Sequence, residues 1–167
     1  MRRSASKVWT RPGTMEIVMN IHAPDLTKRP PRSPRARLGG YATLPRLLDK
    51  CRATLAGVHG EFNFNCPLDQ RWFEFAGIDA AALKREVAKG KSDGEMLAWI
   101  NAHSTTKPSP AQIAAWSAYA DQRAPADLES REFFNDIQRK IAPRREDVTT
   151  WFELLDLDDF VTFGGKP

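Results

Sequence analysis

The sequence has few of the residues that stabilise a small secreted fold covalently. Its 167 residues include only two cysteines, Cys51 and Cys66, which are too few for a disulfide framework. It also has no apolar stretch near the roughly twenty residues that a membrane-spanning helix requires. These absences predict a protein of the reducing cytoplasm that does not cross a membrane.

The residue patterns that hold metals and nucleotides are also missing. The three histidines and two cysteines do not follow the spacing of a zinc site, and neither HExxH nor CxxC occurs. There is no GxGxxG and no Walker sequence for binding phosphates. The sequence therefore predicts no metal and no cofactor, and it leaves open whether the protein is an enzyme.

Acidic side chains are scarce at the start of the chain. Residues 1–37 contain nine Lys/Arg and two Asp/Glu, whereas the remainder contains sixteen and nineteen. The net charge of +4 is therefore a property of the N-terminal part. A uniformly basic nucleic-acid-binding protein would not show this asymmetry.

The segment with the most unusual composition is the Arg/Pro arm, residues 24–40, in which prolines and arginines are closely spaced. Prolines at 30, 31 and 34 favour polyproline II, in which residues three apart lie on one edge at intervals of about 9 Å. Arg29, Arg32 and Arg35 have this spacing. Four interpretations stay open: an arm that is solvated or pairs with the acidic body, a clamp for a small anion, contact with nucleic-acid phosphates, and a PxxP ligand for a protein partner.

After the double glycine at 39–40, the pattern predicts a mainly α fold of about seven short helices. Thr43 is expected to cap the first helix, and three capping boxes begin at Ser92, Ser109 and Thr150. The 58–65 stretch alternates Phe and Asn and could be a short extended segment. We expect residues 1–22 to be a disordered lead and residues 23–163 to form one helical domain that includes the arm.

Two further features bear polar side chains that could form a site. The polar face of the first helix, with Asp49 and Lys50, is interpreted first as a salt-bridged surface and second as a means of orienting a ligand or the arm. In residues 61–71, Asn65 and Cys66 precede a helix that starts with proline, where the free N–H groups favour an anion or a thiolate. A buried cysteine and a simple helix cap are the structural alternatives.

Several strings resemble a bacterial family of uncharacterised proteins, domain of unknown function 5069. They are APDLTKRPPRSPRARLGGY, LPRLLDKCRA, FNFNCPLDQRWFEFAGID, MLAWINAH and IAAWSAY. The resemblance covers roughly residues 23–163. It implies a small soluble bacterial protein built from these segments, and it supplies no catalytic residue.

We predict that the protein binds a small anionic molecule. The binding pocket would form where the arm packs against the first helix and the 61–71 corner. The anion contacts would be Arg32, Arg35 and Arg37, with Tyr41 and Asn65 as hydrogen-bonding walls. Asp49 and Asp69 would orient the arginines, and Cys66 would be a reactive thiol. Nucleic-acid binding and a protein-interaction module are the alternatives, and the sequence does not indicate an oligomeric state.

Overall fold

Seven helices account for just over half of residues 21–167, the part of the chain that the computed structural model describes. The helices are α1 (Leu44–Leu55), α2 (Pro67–Ala76), α3 (Ala80–Val87), α4 (Asp93–His103), α5 (Pro110–Gln122), α6 (Leu128–Ile141) and α7 (Trp151–Thr162). This confirms the predicted mainly α fold and its number of helices. The prediction of a disordered lead falls almost entirely on residues 1–20, which lie outside the described residues.

Local capping signals explain where most of these helices begin. Ser92, Ser109 and Thr150 each accept a hydrogen bond from the backbone N–H three residues later, and the side chain of that N3 residue accepts one from the backbone N–H of the cap. Each of these boxes satisfies two N–H groups that the helix cannot pair by itself. Thr43 departs from the prediction. Its backbone is left-handed at φ 65°, and its hydroxyl donates to the Ala42 carbonyl oxygen without capping α1.

A two-stranded hairpin precedes α1 and was not predicted. Strand β1 (Arg37–Leu38) pairs antiparallel with β2 (Tyr41–Ala42), joined by a two-residue turn. Gly39 and Gly40 have φ values of 58° and 84°, the left-handed pair that a tight hairpin turn of type I′ requires. The 58–65 stretch, in contrast, forms turns and no strand.

The hydrophobic core is continuous through the first half of the chain and has a second centre between α6 and α7. The main cluster joins the hairpin to α1, α2, α3, α4 and α5 around Tyr41, Leu48 and Trp72. The second cluster includes Phe134 and Leu157. A third cluster, formed by Ala42, Ala120 and Phe152, packs the hairpin against α5 and α7.

The Arg/Pro arm lies on this body. Leu26, Pro31 and Pro34 are buried, the Leu26 N–H donates to the Val58 carbonyl oxygen at 2.9 Å, and the Thr43 N–H donates to the Pro34 carbonyl oxygen at 2.9 Å. The arm is thus part of the packed structure, and it delivers the hairpin to the body.

Candidate functional site

The polar face of α1 is buried, which contradicts its first interpretation as a salt-bridged surface. Arg46 and Lys50 are 4% and 3% exposed. Arg46 donates to Asp159 of α7 at 2.6 and 3.2 Å, and Lys50 donates to both carboxylate oxygens of Asp69 at 2.8 Å. These charges tie α1 to other helices and do not pair along its own surface.

Arg32 is fully engaged within the protein. Its Nε and one Nη donate to the two oxygens of Asp49 at 2.9 and 2.8 Å, and its other Nη donates to Asp93 at 2.6 Å. Burial alone would lower the pKa of Arg32, but the hydrogen bonds to the two carboxylates outweigh it and raise that pKa. Asp49 therefore orients an arginine of the arm, as the second interpretation of the α1 face suggested.

Arg35 holds the arm to a different part of the body. Its Nε donates to Asp156 of α7 at 3.2 Å, and its Nη1 donates to Asp121 of α5 at 2.7 Å. Ser33 also donates to Asp156, at 3.1 Å. Arg32 and Arg35 consequently pair with separate groups of carboxylates.

The 61–71 corner is organised around the buried lysine of α1. Asp69, which is 1% exposed, accepts from Lys50 and from the Asn65 N–H at 2.9 Å. Lys50 also donates to the Cys66 sulfur and to the Asn63 carbonyl oxygen, both at 3.2 Å. Asp69 thus orients a lysine where the sequence analysis expected an arginine. This corner is a satisfied buried ion pair with a partly exposed thiol beside it.

Arg37 and Tyr41 lie elsewhere, in a cleft of about 710 Å³ between the hairpin and the α4–α5 connection. We call this the hairpin cleft. Its volume is in the range of small-molecule sites in proteins. It is lined by Arg37, Gly39, Gly40, Tyr41, Asn101, Ser104, Lys107, Pro108, Pro110, Ile113 and Ala114.

The hairpin cleft is positively charged. Among residues 21–167, Arg37 and Lys107 line it, and no aspartate or glutamate of that range does. Within residues 21–167 neither cation forms an ion pair. The nearest polar contact of the Arg37 guanidinium is a long one, 3.5 Å from Nη1 to the Gly40 carbonyl oxygen. Two cations without carboxylate partners at one concavity favour an anionic ligand.

Ser117 of α5 fixes the hairpin side of this cleft. Its hydroxyl donates to the Gly40 carbonyl oxygen at 2.9 Å and accepts from the Ala42 N–H at 3.0 Å. The turn is also packed tightly, because a Cβ on Gly39 would lie 2.5 Å from a methyl carbon of Leu97. The hairpin is therefore held rigidly against α4 and α5.

Hydrogen bonds of the α4–α5 connection fix the opposite side. Ser104 donates to the Ala76 carbonyl oxygen at 2.7 Å and accepts from the Lys107 N–H at 2.9 Å. Thr106 donates to the Phe75 carbonyl oxygen at 2.8 Å. Lys107 itself has φ 44°, a left-handed conformation that costs a non-glycine residue about 1–2 kcal/mol. Strained residues of this kind cluster at ligand sites.

A second, smaller concavity of about 300 Å³ lies beside Arg35. It is lined by Arg35 and Arg145, but also by Asp147, Glu153 and Asp156. Arg145 donates to both oxygens of Asp147 at 2.8 Å. Because its cations are already paired with carboxylates, this concavity is less suited to an anion than the hairpin cleft.

The string Gly90-Lys91-Ser92-Asp93-Gly94 has the Gly-x-Ser-x-Gly spacing of a hydrolase nucleophile. Here it follows α3, whereas the hydrolase motif follows a strand. Ser92 accepts from the Glu95 N–H at 3.3 Å, and the Glu95 side chain accepts from the Ser92 N–H at 2.8 Å. Ser92 is therefore a helix cap.

Residues 21–167 contain neither a metal-binding cluster nor a membrane-spanning helix. No group of three or more His, Cys, Asp or Glu side chains there is arranged to hold a metal ion. Within the same range, no helix combines the length and apolar character required to traverse a bilayer.

A comparison with protein-family models identifies the family of this chain. The family model described as "Domain of unknown function (DUF5069)" matches residues 28–161. The chain belongs to the DUF5069 family. This confirms the resemblance noted from the sequence strings, and no curated protein matches the chain in sequence. The DUF5069 match extends from the arm into α7, so both sides of the hairpin cleft lie within the family domain.

Proposed function

We propose that this DUF5069 protein binds a small anionic molecule in the hairpin cleft. The observation that carries the proposal is that Arg37 and Lys107 line one concavity, and no carboxylate of the described part of the chain lies beside either of them. In the arm, by contrast, Arg32 and Arg35 already have acidic partners. Of Arg32, Arg35 and Arg37, Arg37 is the one without a carboxylate partner in residues 21–167, so it is available for a ligand.

The packing of the arm favours this function over the two alternatives. Arg32 and Arg35 would have to leave their carboxylates before they contacted nucleic-acid phosphates. Pro31 and Pro34, which define the PxxP pattern, are buried, so the motif is not displayed for an aromatic groove. A ligand in the hairpin cleft requires neither rearrangement.

We further propose that the protein works in a bacterial cytoplasm. Cys51 and Cys66 are both free thiols, and Cys51 is completely buried in the core. Burial raises the pKa of the Cys51 thiol to about 12. A protein with two free thiols and no disulfide suits a reducing compartment.

Thermal shift assays with inorganic phosphate, acetate, phenyl phosphate and benzoate test the proposed function. A probe that binds the folded protein raises Tm by mass action. The wild-type Tm should rise with at least one probe, and the rise should disappear in Arg37→Gln/Lys107→Gln. Arg139→Gln/Lys140→Gln, which removes two exposed cations of α6, is the charge-matched control and should respond like the wild type.

A second pair of variants blocks the cleft by charge. Ala114 and Ala115 are neighbouring exposed residues of α5, but only Ala114 lines the cleft. Ala114→Glu should abolish the shift, and Ala115→Glu should retain it. A Tm rise that persists in Ala114→Glu and in the double cation variant would refute the proposal, as would no response to any probe.

A further inference from the structure

Tyr41 is almost completely buried and yet lines the hairpin cleft. It is 1% exposed, and its ring packs edge-on against Trp72 and Phe75 at centroid distances of 5.6 and 6.2 Å. These ring contacts anchor the side chain in the core. The small part that remains accessible opens into the cleft.

The hydroxyl group of Tyr41 has no hydrogen-bond partner among the described residues. Within residues 21–167 the fully buried side-chain nitrogen and oxygen atoms without a partner belong to His59, Trp72 and Trp151. The Tyr41 hydroxyl likewise makes no hydrogen bond in that range, but it is not among these fully buried atoms. The space that Tyr41 adjoins is the cleft.

The hydroxyl is available to donate a hydrogen bond. Burial raises the pKa of Tyr41 above its ordinary value, so the phenol stays protonated at neutral pH. Polar groups held in apolar surroundings are usually hydrogen-bonded. An uncommitted donor at the wall of a cationic cleft consequently indicates an acceptor on the ligand.

One side of the cleft wall is apolar, unlike the part formed by Arg37 and Lys107. Pro108, Pro110, Ile113 and Ala114 form an apolar side, contributed by the start of α5 and the residues before it. A bare inorganic anion would leave this side and most of the 710 Å³ without contacts. An apolar ring or chain attached to the anion would fill it.

From these observations we infer that the ligand is an amphipathic organic anion. Its phosphate or carboxylate group lies between Arg37 and Lys107 and accepts a hydrogen bond from the Tyr41 hydroxyl. Its apolar body packs against the proline-containing start of α5. This inference rests on the proposed function and defines the class of molecule that the cleft selects.

Matched probes with and without an apolar body test the selection. Phenyl phosphate is compared with inorganic phosphate, and benzoate with acetate, by isothermal titration of the whole protein. Burial of the phenyl ring should tighten binding by about tenfold or more. Whichever of phenyl phosphate and benzoate binds more tightly shows whether the cleft prefers a phosphate or a carboxylate group. Equal affinity within both pairs would overturn the inference.

Tyr41→Phe tests the hydroxyl with little risk to folding, because the hydroxyl has no partner in the described structure to lose. The free variant should keep the wild-type Tm, and its affinity for the preferred aromatic probe should fall by about tenfold or more. A purely structural tyrosine would give the opposite result, a lower Tm with unchanged affinity, and would refute the assigned role.

Failure of this inference is distinguishable from failure of the proposed function. If Arg37→Gln/Lys107→Gln abolishes binding while Tyr41→Phe retains full affinity, the cleft binds anions and the assigned role of Tyr41 is wrong. If none of the four probes binds the wild type, both proposals fail together.

Discussion

The buried ion pair between Lys50 and Asp69 gives the sharpest prediction about stability. Both side chains are nearly inaccessible, at 4% and 1% exposure. Lys50→Met keeps most of the length of the side chain but removes the cation that faces both carboxylate oxygens at 2.8 Å. Asp69 would then keep one hydrogen bond, from the Asn65 N–H, and its charge would be buried without compensation.

Removal of one partner from a buried pair costs about 3–5 kcal/mol, a large share of the roughly 5–15 kcal/mol by which domains are stable. For a domain of this length the loss corresponds to a Tm decrease of about 6–20 °C. Urea unfolding followed by tryptophan fluorescence measures it as a lower midpoint at unchanged slope.

Two companion variants isolate the cause. Lys50→Met/Asp69→Leu removes both charges and should recover at least about 2 kcal/mol relative to the single variant, because no isolated charge remains. Lys89→Met removes a lysine whose side chain is 61% exposed and paired with Glu86, and it should cost about 0.5 kcal/mol or less. A cost below about 1 kcal/mol for Lys50→Met, or a double variant less stable than the single one, would refute the reasoning.

Three other predictions concern the fold. Gly77→Ala should lower the free energy of unfolding in urea by at least about 2 kcal/mol more than Gly57→Ala does. Both residues have positive φ, but of the two only Gly77 would bring a new Cβ against a backbone atom, at 2.6 Å. Equal losses of stability in the two variants would contradict this. Burial raises the pKa of Asp93, but hydrogen bonds from two guanidinium groups outweigh it and hold that pKa below its ordinary value. The stability that Asp93 contributes is thus present above about pH 4 and is lost as the pH falls through its lowered pKa. Asp93→Asn should therefore flatten the dependence of the unfolding free energy on pH below about pH 4. Parallel pH curves for the variant and the wild type would argue against this. Arg35→Ala should lower stability by less than about 1 kcal/mol, a difference that 1 M salt should remove; a larger, salt-independent loss would show that this contact is not a surface ion pair.

The helices could be predicted because their signals are local. A capping box such as Ser92 with Glu95 spans four residues, so the sequence shows both partners side by side. The hairpin was missed because strands of two residues have no periodicity to detect. Its one local signal, the double glycine at 39–40, does not by itself distinguish a hairpin turn from a flexible connection.

Only some residues of the candidate cleft could be selected from the sequence, because the two sides of the cleft come from distant segments. Arg37 and Tyr41 were selected from the arm, and the structure places both in the hairpin cleft. Asn101 and Lys107 were not selected, because their contribution depends on how α4 and α5 pack against the hairpin. The charges of α1 were misread for the same reason, since Arg46 pairs with a residue 113 positions away.

The attachment of the arm to α7 has a consequence for protein synthesis. Ser33 reaches a carboxylate 123 residues further along the chain, and at about 5–20 residues per second the ribosome takes many seconds to make that partner. Until Asp156 leaves the exit tunnel, this contact of the first-made segment cannot form. Docking of the arm on α7 is thus necessarily a late event in biogenesis, although the arm is translated early.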